Sequence, residues 1–160
     1  MVSGIGNDRF WFGLANRYLG KDTSAAGSSV WRCPANRSHS YGWSSISYGA
    51  NQQIFRAHTQ PRVKYARIKR QGGVVMVADS NGDAYYDMLT DGIGPSYERN
   101  YPPGNRHSEG TNLLFCDGHV EWKLRNSIYH IATSWNDAPE FIRLLWGSSS
   151  SAFAIPYYER

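Results

Sequence analysis

The stretch that most constrains this chain is Thr111 to Leu124, where an Asp-Gly pair separates two apolar runs. Asn112-Leu113-Leu114-Phe115-Cys116 and His119-Val120-Glu121-Trp122-Lys123-Leu124 each suit a strand. Asp117-Gly118 between them predicts a two-residue hairpin turn with positive φ at both central positions. That turn sets Cys116 opposite His119, Phe115 opposite Val120, Leu114 opposite Glu121 and Leu113 opposite Trp122. Alternation then puts Leu113, Phe115, Val120, Trp122 and Leu124 on one face, the expected core. Asn112, Leu114, Cys116, His119, Glu121 and Lys123 take the other face, so Cys116 is expected off the main core, where a C-terminal segment could cover it.

A lone hairpin is not stable in water, so the rest of the chain must cover it. With 160 residues there is about one domain of chain, enough to bury a core without disulfide or metal staples. The 14% aromatic content argues against whole-chain disorder. Gly73-Val74-Val75-Met76-Val77-Ala78-Asp79 reads as a buried strand. The spacing of Phe10, Trp11, Leu14 and Tyr18 predicts a short helix over Asn7 to Gly20. Asp137 as cap, Pro139 early and Gly147 beyond the last turn describe another. Val30 to Pro34 reads as extended. Residues 36–53 read as irregular with Tyr41, Trp43 and Tyr48 as anchors, and 80–110 as one long connection. Residues 1–147 thus read as one α+β domain with a small antiparallel sheet, long loops and short helices. Residues 148–160 read as a Ser-rich linker and an apolar tail.

Several function classes lose support at this level. The formal charge of +4 is mild, and the densest basic stretch (Arg62, Lys64, Arg67, Lys69, Arg70) alternates with apolar residues, unlike a phosphate-binding face. The sequence has no run of 18 apolar residues to span a membrane as a helix. Its 2 cysteines permit one bridge or none. His39, His58, His107, His119, His130 and the cysteines show no paired zinc-ligand spacing. Neither cysteine sits in a nucleophile signature.

Arg106-His107, nine further residues and Asp117-Gly118-His119 resemble the signature of the prepilin-type H-X9-DG family of pseudopilin-like proteins. Trp31-Arg32-Cys33-Pro34 is similar to that family's Cys-Pro segment. Tyr41-Gly42 with Asn51 resembles its Tyr-Gly…Asn stretch, and Ile68-Lys69-Arg70 before Val75 to Ser80 resembles its central strand. The resemblance covers roughly residues 10–125. It implies a pilin-like α+β domain, exported, acting as a non-enzymatic structural subunit of an extracellular or cell-surface filament or pseudopilus-type assembly. Self-association, or association with other pseudopilin-like subunits, is the implied partnership. Members of the family begin with a leader and a long apolar helix. Neither occurs in this sequence, which reads as a trimmed or processed chain or as a variant assembling without that helix. The Cys-Pro cysteine is often paired in the family, and here the resemblance leaves Cys116 as the partner for Cys33.

The motif residues have plain readings. Six strand residues, 111–116, hold His107 and Asp117 roughly 20 Å apart, so they do not form one site. Asp117 with Gly118 is then a turn residue that satisfies local backbone donors. If strand 73–79 runs antiparallel to 111–116, Asp79 arrives where His107 enters. Asp79, Arg106 and His107 would then pin both ends of the 80–110 connection. Asp79, Asn81 and Asp83 match the alternating oxygens that open a calcium loop, with Asp87 a further ligand. Ala84 and Thr90 depart from the full pattern, so calcium and an Asx-rich turn both stay open. Tyr85, Tyr86, Tyr97 and Tyr101 make the 80–110 connection an alternative glycan-binding surface or a set of loop anchors. The tail residues Phe153, Ile155, Tyr157 and Tyr158 suit an assembly contact, or packing on their own domain.

Overall fold

The computed structural model describes residues 29–36, 47–51, 53–55, 63–80, 89–90, 103–130 and 137–147, with Ala15 and Tyr18. Its centre is a sheet of β1 (Tyr48–Asn51), β2 (Val75–Asp79), β3 (Leu89–Thr90), β4 (Gly110–Phe115) and β5 (Val120–Leu124). The strand order is β3-β1-β2-β4-β5. β1, β2, β4 and β5 are successively antiparallel, and the short β3 joins β1 in parallel. Helix α1 (Glu140–Leu145) packs on the sheet, and among the described residues 3-10 turns fall at Ser29–Trp31, Tyr65–Arg67, Gln71–Gly73 and Arg125–Ser127. A small, mainly antiparallel sheet with few helices is an α+β arrangement. Among the described residues, no helix is long and apolar enough to cross a membrane.

The pairing of β2 with β4 agrees with the sequence reading: Val75 opposes Phe115, Val77 opposes Leu114 and Ala78 opposes Leu113. Between Val75 and Val77 the register shifts, leaving Met76 as an extra residue on β2. Such a bulge resets the alternation. It lets Val75 and Ala78, three positions apart, both enter the core with Leu113 and Phe115. Ile128, Ala138, Ile142 and Trp146 cover them from the other side. Trp146 is fully buried, and its indole N–H donates to the Ile128 carbonyl at 2.7 Å. Asn51 knits the layers together: its amide donates to the carbonyls of Val75 (2.7 Å) and Trp146 (3.0 Å), and its oxygen accepts from the Gln53 N–H.

The hairpin forms, but in a different register. Leu114 opposes Val120, Leu113 opposes Glu121 and Asn112 opposes Trp122. The loop has three residues, Cys116 to Gly118: the Gly118 N–H donates to Phe115 O at 3.0 Å, and the Phe115 N–H donates to His119 O at 2.9 Å. Gly118 has φ +97°, whereas Asp117 is not in the left-handed region. This is a type I turn closed by a left-handed glycine, the usual three-residue solution. One residue of slip reverses every side chain on the second strand. Leu113 and Phe115 stay buried as expected, while Val120, Trp122 and Leu124 are 64%, 46% and 50% exposed.

Cys116 lies off the main core, as expected, but is buried in a second, smaller cluster against which Leu144 of the C-terminal helix packs. It packs with Ile68 and Val74 because the Gln71–Gly73 turn folds back onto the hairpin loop. The Cys116 N–H donates to Val74 O, and Tyr65 Oη donates to Cys116 O. Both cysteines are free thiols, so the Cys33–Cys116 pairing does not form. Cys33 lies beside His107, ahead of β4, and Cys116 follows β4 at its other end. A bridge needs α-carbons within about 7 Å.

The C-terminal helix starts later than expected. Pro139 rather than Asp137 is its cap residue, without a side-chain cap bond. Proline disfavours helical geometry in the residue before it, so the helix can open only from Pro139 onward. Gly147, at φ +68°, ends it as the sequence predicts. The stretch from Val30 opens as a 3-10 turn, and the Asn36 N–H to Cys33 O bond then makes a β-turn around Pro34. The helix read over Asn7 to Gly20 falls almost wholly outside the described residues. Tyr41, Trp43, the tyrosines of 80–110 and segment 148–160 also fall outside them.

Candidate functional site

At the end of β2 the strand ladder gives way to side chains. Asp79 is 1% exposed. Its Oδ2 accepts the Asn112 backbone N–H at 2.8 Å and the Asn112 amide at 3.2 Å. The same oxygen lies 3.4 Å from His107 Nε2. The Asp79 Oδ1 is buried with no hydrogen-bond partner. Such an orphan acceptor costs about 1–3 kcal/mol.

His107 reaches this place through an unusual turn. Ser108 and Glu109 both have positive φ, at 52° and 62°. His107 and Gly110 exchange backbone hydrogen bonds around them. This is the type I′ geometry that the sequence reading had placed at Asp117-Gly118, here built without glycine at either central position. Left-handed non-glycine residues cost roughly 1–2 kcal/mol each. The cost is met by contacts that hold the turn. The Trp122 indole donates to the His107 carbonyl at 2.9 Å. It also lies where a Gly110 side chain would be, since a β-carbon there would sit 2.3 Å from the indole Cε2.

The third member comes from far away in sequence. Cys33 Sγ lies 3.4 Å from His107 Nε2, 74 residues along the chain. One donor atom from each of Cys33, Asp79 and His107 lies within 4.8 Å of the others. Cys33 is 2% exposed and His107 half-buried. Tyr48, at the head of β1, shares the surroundings. Burial raises its phenol above the ordinary range, the charges of Cys33 and Asp79 add to this, and Arg106 opposes it.

Arg106 takes a different place from the one expected. Its guanidinium does not pair with Asp79 but donates to the carbonyls of Ser47 and Ser80, on either side of the carboxylate's strand end. Gly104 N–H donates to Asp79 O at 2.6 Å, and Ser80 bridges Pro103. The two ends of the 80–110 connection are therefore clamped together, with Asp79 and His107 in contact as the sequence reading anticipates.

Asp117 sits in the hairpin turn at the other end of β4. It accepts the His119 backbone N–H (3.1 Å) and meets His119 Nδ1 (2.6 Å). The backbone bond first, then the side-chain bond, hold its carboxyl below the usual carboxylate range. His119 also stacks on Phe115, ring centroids 4.2 Å apart. Of the calcium-loop residues, Asp79 is turned inward to Asn112 and His107, and Asn81, Asp83 and Asp87 lie outside the described residues.

A cysteine, a histidine and an aspartate invite comparison with a nucleophilic triad, but the geometry differs. A triad uses the two imidazole nitrogens separately, one toward the nucleophile and one toward the carboxylate. Here the thiol and the carboxylate both approach Nε2. The three atoms form a triangle rather than a relay. Sequence reasoning found Asp79 and His107 through strand pairing but missed Cys33, which carries no ligand spacing. Its only signal is the Cys-Pro turn that buries it. Compared with known protein families, curated proteins and solved structures, the chain matches none.

Proposed function

We propose that this chain is a non-enzymatic structural subunit, a pilin-like domain that self-associates in an extracellular or cell-surface assembly. The supporting observation is the outer edge of the sheet. β5 has no strand beyond it among the described residues, and it exposes Val120, Trp122 and Leu124 on one face. Phe115 and His119 form a hydrogen-bonded pair, so alternation along the ladder leaves the backbone groups of Val120, Trp122 and Leu124 facing outward. An open, apolar edge is a template for another strand.

The sequence of β5 favours a second copy as the occupant. Antiparallel pairing about a two-fold axis at Trp122 sets Glu121 opposite Lys123 of the other copy, twice, and Val120 opposite Leu124. Opposite charges directly across a strand pair are stabilising, and a two-fold interface must be self-complementary in this way. Within one chain Lys123 Nζ already meets Glu121 at 2.7 Å, so both side chains occupy the same face and are ready to exchange partners.

Sedimentation and electron microscopy of the purified chain test the reading. Concentration-dependent association is expected, weakened by Glu121→Lys and restored by Glu121→Lys with Lys123→Glu. A species that stays monomeric at high concentration would sink it.

A further inference from the structure

We propose that Cys33, Asp79 and His107 form a binding site for one borderline-soft divalent cation, zinc foremost, with water completing the coordination.

Two of the three donor separations match a tetrahedral centre, and all three donor atoms lie within 4.8 Å of one another. Zinc binds thiolate at about 2.3 Å, imidazole at about 2.0–2.1 Å and carboxylate at about 2.0–2.2 Å, so a tetrahedral centre separates sulfur from nitrogen by about 3.6 Å and nitrogen from oxygen by about 3.4 Å. The Cys33 Sγ to His107 Nε2 separation is 3.4 Å, and His107 Nε2 to Asp79 Oδ2 is 3.4 Å. The convergence of thiol and carboxylate on a single imidazole nitrogen, which disqualifies a catalytic relay, is what a shared central ion requires.

A second observation points the same way. Asp79 Oδ1 is buried and has no hydrogen-bond partner, so the carboxylate that presents Oδ2 to the ion has its second oxygen free to join it. A native interior seldom leaves a carboxylate oxygen unmatched, and an unplaced ion is one ordinary reason for it. The donor set selects the metal. Sulfur and imidazole nitrogen suit zinc, whereas calcium and magnesium take oxygen. Charge also balances: a thiolate and a carboxylate against a dication, with neutral imidazole, give a neutral buried centre. On binding, the Cys33 S–H bond breaks, its proton passes to solvent and a sulfur–metal bond forms. No electrons are transferred. The ion would tie the Cys33–Pro34 turn, the end of β2 and the strained turn before β4 to one point.

Titration of the full chain with cobalt(II) as a zinc surrogate tests this without a variant. We expect one equivalent to give a thiolate-to-cobalt charge-transfer band and the strong visible bands of a tetrahedral centre, both removed by zinc. Zinc, but not calcium, should raise the melting temperature. Cys33→Ser and His107→Gln should lose the cobalt spectrum, and Cys116→Ser and His119→Ala should keep it. Absence of the thiolate band in folded wild-type protein, or its survival in Cys33→Ser, or its loss only in Cys116→Ser, would overturn the assignment. None of these readouts depends on the association state, so the site and the assembly reading succeed or fail separately.

Discussion

Single residues carry much of the specification here, and the two cysteines differ most. Burial, then the neighbouring Asp117 charge, pushes the Cys116 thiol up to about 12. In the unfolded chain it titrates near 8.5. The folded state therefore keeps a proton that the unfolded state loses as pH rises between those values. Its contribution to stability is complete below the unfolded value and falls away above it. Native Cys116 should resist iodoacetamide at pH 8 and react in urea, and Cys116→Ala should flatten the decline in stability above pH 9, read from denaturant melts. The strained pair before β4 gives a prediction of the opposite sign. Ser108 holds φ 52°, a conformation glycine adopts freely. Ser108→Gly should stabilise the fold by about 1 kcal/mol, the rough cost of a left-handed non-glycine residue. A melting temperature unchanged or lowered would show that the turn carries no such strain.

At the scale of elements, the hairpin shows how one loop residue governs a strand. Both Asp117 and Gly118 are turn residues, and the expected φ > 0 occurs at Gly118 alone. Counting Cys116 into the loop moves β5 by one position and turns Trp122 away from the core. The exposed indole still has a structural task, because it lies over Gly110 and donates to His107 O. Gly110→Ala should therefore displace it. Overpacking of this kind costs about 1–3 kcal/mol, and a red-shifted tryptophan emission with a lowered melting temperature is the expected result. If the variant melts like the wild type, the indole does not lock the turn.

Among the described residues, long-range side-chain ties join the sheet to the segments packed on it. Asn51 joins β1, β2 and the end of α1 through carbonyls of Val75 and Trp146. Asn51→Leu would leave two buried carbonyls unpaired, at about 1–3 kcal/mol each. Its unfolding midpoint should fall well below that of the wild type, with the transition broadened as α1 detaches from the sheet. A variant as stable as the parent would mean that these carbonyls find other donors.

The sequence by itself determined what local chemistry can fix. Val-rich residues 75–79 form a strand, Asp117-Gly118 forms a turn, Gly147 ends a helix, and strand polarity brings Asp79 to His107. Each follows from backbone preferences or from the period of a strand, which act over a few residues. The tertiary structure decided the rest. The three-residue hairpin loop lies against the Gln71–Gly73 turn, where a β-carbon on Gly72 would meet the Asp117 carboxylate at 2.7 Å. The bulge at Met76 answers to the core it must face. Cys33 reaches His107 only because Trp31 and Cys33 are buried together and Ser47 N–H closes on Trp31 O. Contacts across 74 residues leave no spacing to read. Three donor atoms can share one point only after the chain has closed around them.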